Sequence, residues 1–147
     1  MSATDATWAL QVGIKAALAA SPVTALLAAG AASIFDDVPE EELFPYVTIG
    51  EIQTDADETC TELGQEHLAT INVWTSRVSR AGGTVGYEGR KAARDIVAAI
   101  HTALNHATLT VTGFVCVNVL YQFSDVFRED EDTYHGVIRF RVVTEPS

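Results

Sequence analysis

Between Val115 and Val142 the apolar residues stand at alternate positions: Val115, Val117, Val119, Tyr121 and Phe123, then Tyr134, Ile138, Phe140 and Val142. Successive side chains of an extended chain point to opposite faces, so each run carries one apolar face. The acidic stretch Glu129-Asp130-Glu131-Asp132 lies between the runs and predicts a turn that folds them into an antiparallel hairpin. Upstream, Ala93, Ile96, Val97, Ile100, Ala103 and Leu104 recur at helical spacing and predict the longest amphipathic helix of the chain, ending near Asn105. An apolar hairpin face and an apolar helix stripe bury each other. Together they are expected to form the centre of the core, each fully buried side chain contributing about 1.5–3 kcal/mol before its entropy is counted.

The remaining segments add to this frame. Thr4 or Asp5 can cap a first helix whose stripe is Leu10, Ile14, Ala17 and Leu18, widened by Trp8 and Val12. Ser21-Pro22 reads as the cap and first residue of a short second helix carrying Val23, Leu26 and Leu27 and closed by Gly30. Ile34-Phe35 is a brief apolar step before an acidic loop from Asp36 to Glu42. Phe44 to Gly50 reads as a strand with Pro45 at its start or at a sheet edge, since proline has no N–H for a ladder. A second acidic loop with Asp55, Asp57, Glu58 and Glu62 leads to a strand from Glu66 to Trp74. In that strand Ala69, Ile71 and Val73 face one way, and Thr70, Asn72 and Trp74 the other. Leu109 and Val111 are read with the β region that follows the long helix. The expected class is α+β: an antiparallel or mixed sheet of about four to five strands with helices packed on one face. At 147 residues, the whole span 1–147 is expected to form one domain.

Composition excludes several functions. The formal charge of −11 opposes nucleic-acid binding, which requires cations to displace phosphate counterions. Arg77, Arg80, Arg90, Lys91 and Arg94 do fall in one stretch, where a solvated helix end is the simpler reading. Apolar stretches are broken well before the ~18 residues of a spanning helix, so no membrane partner is expected. Met1 to Asp5 lacks the positive charge and apolar run of a secretory signal. Cys60 stands in a polar stretch and Cys116 in an apolar strand, which favours two free thiols over a bridge.

The residues that could carry chemistry stand in no recognised pattern. His67, His101, His106 and His135 stand in no metal-ligand spacing, although a meeting of His67 and His135 across the sheet is conceivable. Asp55-Ala56-Asp57-Glu58 lacks the glycine and final glutamate of a calcium loop. Gly83 to Gly89 precedes a helix as phosphate loops do, but its glycine spacing matches no nucleotide motif. No catalytic, metal-binding or cofactor-binding residues are assigned, and no cofactor is expected.

The order of short motifs is more telling. Ile34-Phe35-Asp36-Asp37-Val38-Pro39, Phe44-Pro45-Tyr46-Val47-Thr48-Ile49-Gly50, the strand entry from Gly64 to His67, Val73-Trp74-Thr75-Ser76 and Tyr134 to Arg141 follow one another as in a known family. The chain resembles the tail-completion, or tail-terminator, proteins of long-tailed bacteriophages and gene transfer agents. That resemblance implies a non-enzymatic subunit, assembled in the host cytoplasm, that forms a hexameric ring on the head-proximal end of the tail tube. The ring would stop tube growth and offer a docking face that joins the tail to the head connector. Separately, the excess of acid is expected to line a channel through which DNA passes without specific binding, since like charge discourages phosphate contact. Another head-tail connector or minor tail protein, or a small-ligand-binding domain, is the alternative. The glycine-rich stretch from Ser76 to Gly86 is longer than the resemblance implies. Candidate interface residues are Asp36, Asp37, Glu40, Glu41, Glu42 and Trp74, with Arg77, Arg80, Arg90 and Arg94. The acidic loop of one subunit is expected to face the basic stretch of the next.

Overall fold

A computed structural model describes residues 5–36, 44–56, 64–76 and 89–146. Two helices, α1 (Thr7–Ala19) and α2 (Gly89–Leu104), accompany five strands: β1 (Ile34–Phe35), β2 (Tyr46–Ala56), β3 (Gln65–Ser76), β4 (Phe114–Arg128) and β5 (Thr133–Pro146). The strands form one sheet in the order β1-β2-β3-β5-β4. The sheet is mixed, because β1 runs parallel to β2 while every other pair is antiparallel. The fold is therefore α+β, as the segregation of apolar periodicities implies.

Both helices lie on one face. The core joins Ala69, Ile71 and Val73 of β3 and Ile138, Phe140 and Val142 of β5 to Ile96, Val97 and Ile100 of α2 and to Leu10, Ile14 and Leu18 of α1. Backbone approaches limit this packing at two glycines. A Cβ on Gly136 would lie 2.9 Å from Val97 Cγ2, so α2 sits directly on the sheet there. A Cβ on Gly13 would lie 2.5 Å from the carbonyl oxygen of Thr110, where α1 rests on the segment leading into β4.

Several details differ from the sequence reading. Trp8 and Val12 do not widen the buried stripe of α1, since they are 66% and 49% exposed. The helix is apolar around most of its circumference, and one sheet face covers only part of it. Ala6, not Thr4 or Asp5, occupies the cap position, and Asp5 acts one residue earlier by accepting from the Thr7 N–H at 2.9 Å. The segment after Ser21 forms 3₁₀ turns over Pro22–Leu26 and Gly30–Ser33 in place of a second α-helix, with Leu27 extended between them. Asp55 belongs to β2, opposite Glu66, not to a loop. Leu109 and Val111 are buried ahead of β4 without entering a strand.

The alternation in β4 also breaks. Register shifts between Cys116 and Asn118 and between Tyr121 and Phe123 each insert a residue, and every insertion moves the following side chains to the other face. Val119 is thus buried under the helices, while Val115, Val117 and Phe123 are exposed. Asp37, Glu40, Glu41, Glu42, Asp57, Glu58, Cys60, Glu62, Arg77, Arg80 and the glycines from Gly82 to Gly86 lie outside the described residues.

Replacing Gly136 by valine is expected to destabilise the protein by about 1–3 kcal/mol, the usual cost of overpacking a dense core. Gly13→Ala should cost at least as much, because its neighbour is backbone and cannot rotate away. Urea unfolding of both variants checks this, and a wild-type midpoint for either would show that the helix layer yields at that point.

Candidate functional site

Three surfaces are candidates: the open face of the sheet and the two margins of the helix layer. The open face carries an aromatic row made by register. Tyr46, Trp74, His135 and Phe127 occupy one cross-strand line through β2, β3, β5 and β4. Trp74 stacks on Tyr46 with centroids 6.4 Å apart, and on His135 at 3.9 Å with 15° between the planes. Phe127 closes the far end, 4.9 Å from His135. His135 donates from Nε2 to Asn72 Oδ1 at 2.7 Å, and its Nδ1 lies 3.4 Å from Glu129 Oε2. Burial pushes the His135 pKa below its ordinary value, with Glu129 pulling the other way. Farther along the same face, Arg139 lies over Phe123 at 5.0 Å and Arg141 pairs with Glu66 at 2.9 Å.

His67 and His135 do not meet. His67 is fully buried on the helix side, while His135 stacks on Trp74 on the open side. Both nitrogens of His67 are engaged, Nδ1 with Thr54 Oγ1 at 2.8 Å and Nε2 with Thr144 Oγ1 at 2.9 Å. The chain of contacts continues from Thr54 to Thr7 and from Thr7 to Asp5, each at 2.6 Å. An ionised carboxylate only accepts, so Thr7 donates to Asp5, Thr54 to Thr7, and His67 Nδ1–H to Thr54. Thr144 then donates to a neutral Nε2. This network ties α1 to β2, β3 and β5, and leaves His67 no free nitrogen for a ligand. Among the described residues no group of three or more His, Cys, Asp or Glu side chains is placed to hold a metal ion. Cys116 is a free thiol whose pKa burial raises, the opposite of nucleophilic activation.

The margins of the helix layer are unlike one another. On the β1 side a shallow recess of about 440 Å³ runs along the outer surface of α1, lined by Trp8, Gln11, Val12, Lys15, Ala16 and Ala19 with Asp36 beside them. Asp36 accepts from Gln11 Nε2 at 2.9 Å. On the β4 side a groove of about 310 Å³ opens between α2 and β4, lined by Arg94, Val97, Ala98, His101, Tyr121, Ser124, Asp125 and Val126. Of the candidate interface residues, Arg90 and Arg94 share α2, and Arg90 lies over the Tyr134 ring at 5.4 Å. Asp36 follows β1 and is not brought near them. Four strand spacings, about 19 Å, separate the two sheet edges.

Residues 12–145 match the model of the family described as Tail completion protein gp17. The chain belongs to that family. Among solved structures it is similar to a chain of the "Virion of native gene transfer agent (GTA) particle", with a TM-score of 0.69 and 26% identity, over 92% of this chain and 94% of that one. No curated protein matches. No described helix is long and apolar enough to cross a membrane.

For this tail-completion chain the sequence reading missed the exposure of Trp8 and Val12 and the exposed apolar residues of β4. One signal was present: α1 has more apolar positions than a single buried stripe can use. The β4 surface had none, because alternation alone does not reveal a bulge.

Burial holds both His67 and His135 below the ordinary histidine pKa, so the unfolded chain binds their protons more readily than the folded one. Their contribution is complete above the unfolded value of about 6.5 and is lost as pH falls from there toward the folded values. The melting temperature is expected to drop between about pH 7.5 and 5.5, with a smaller drop in His67→Gln. Thermal melts across that range check it, and an unchanged slope in the variant would assign the effect to other groups.

Proposed function

We propose that this protein is a tail terminator: copies close into a ring on the head-proximal end of a tail tube, stop its growth and present a face to the head connector. The observation that carries the reading is the family match over residues 12–145. The similarity to a gene transfer agent virion chain, nearly end to end in both, supports a place within a particle. The geometry supports a ring as well. Closed rings are built from head-to-tail contacts between two different patches, and the two margins of the helix layer are different patches on opposite sides of the subunit. A formal charge of −11 suits a conduit, because like charge discourages DNA from adhering to the wall. The role is structural, and the tube end, the connector and other copies of the chain are its partners. Localisation follows as assembly in the host cytoplasm and residence in the finished particle.

Cells that make the particle but lack this protein should accumulate filled heads without tails and tubes of uncontrolled length. Electron microscopy of such lysates tests this, and tubes of normal length joined to heads would refute the terminator role.

A further inference from the structure

We infer that copies meet through Trp8, which seats in the groove between α2 and β4 of its neighbour. This rests on the reading that copies associate, and it specifies which surfaces they use. The groove and the outer stripe of α1 are opposite margins of one helix layer. Both are open recesses, and the exposed indole of Trp8 lines the second. A second copy placed edge to edge continues the layer, laying its α1 along the uncovered side of α2.

Trp8 is the natural anchor. An indole 66% exposed, with Val12 49% exposed one turn further along the same face, leaves a large apolar surface in water. Tryptophan is among the residues that carry most binding energy when buried at the centre of an interface. The groove offers an apolar wall of Val97, Ala98 and Val126, an aromatic wall of His101 and Tyr121, and the Arg94 guanidinium. The two rings meet edge to face, with centroids 4.4 Å apart. Aromatic and cationic walls are what an indole face prefers, and Ser124 and Asp125 supply acceptors for its N–H.

Charge identifies the occupant as another copy. The α1 margin carries Lys15 and Asp36, and the groove carries Asp125 and Arg94. Neither Lys15 nor Arg94 has an ion-pair partner among the described residues. Each margin thus carries one cation and one acid, so docking one on the other can set Lys15 against Asp125 and Arg94 against Asp36. Within one chain these partners stand at opposite edges of the sheet, so the pairs form only between copies.

The test uses the full-length protein in particle-producing cells. A photoreactive benzoylphenylalanine at position 8 should crosslink, within assembled particles, to the Arg94–His101 or Tyr121–Val126 region of a second copy. Trp8→Ala, or Ala98→Trp to fill the groove, should lower particle yield by at least about tenfold, the scale of one hot-spot truncation. Lys15→Glu should lower yield and Lys15→Glu with Asp125→Lys should restore it, because only a contact between copies permits the rescue. Capture of a different particle protein, capture at another surface of the chain, no capture, or no rescue would each overturn this contact while leaving the terminator role standing. Absence of the protein from purified particles would overturn both.

Discussion

The pairing of β3 with β5 is the constraint on which the rest of the molecule depends. It runs without a register shift from Gln65 opposite Thr144 to Ser76 opposite Thr133. That continuity assigns His67, Ala69, Ile71 and Val73 to the same face as Gly136, Ile138, Phe140 and Val142. With this face apolar and central, both helices gather on it. A slip of one residue would turn Ile138 and Phe140 outward and bring Arg139 and Arg141 under α2, where their charges would have no water and no acid. The same register fixes the open face, where Trp74 and His135 stack only because they are opposite one another.

The molecule is asymmetric about that centre. Near β1 the helix layer ends in an α1 with apolar side chains left over, and near β4 it ends in a groove that α2 alone does not fill. Each margin leaves apolar side chains facing water, Trp8 and Val12 on α1 and Tyr121 beside the groove. Two unlike, incomplete edges are the geometry from which closed rings are made.

Much of the fold was legible in the residues. The face assignments of β3, the position of α2, the final hairpin and the α+β class all follow from periodicity, because those segments keep one register and one burial partner throughout. Where a second influence intervenes, periodicity misleads. The run from Val115 to Phe123 alternates in sequence, yet two bulges redistribute it between faces. The segment after Ser21 has a cap, a proline and apolar spacing suited to a helix, but it is short and Leu27 is extended, so 3₁₀ turns form instead. Of the candidate interface residues, Asp36 and Arg94 proved to sit at opposite edges, a relation that no local pattern encodes.

Read by itself, the chain determined its class, its buried helix and strand faces, its lack of catalytic motifs and its family, since these depend on residue type and short-range order. Tertiary structure decided which apolar residues stay in water, which strand lies at the edge and which charges are kept apart. Those properties arise from long-range pairing: whether Trp8 is core or surface depends on how far a sheet formed mostly from later residues extends beneath α1, and nothing within α1 specifies that.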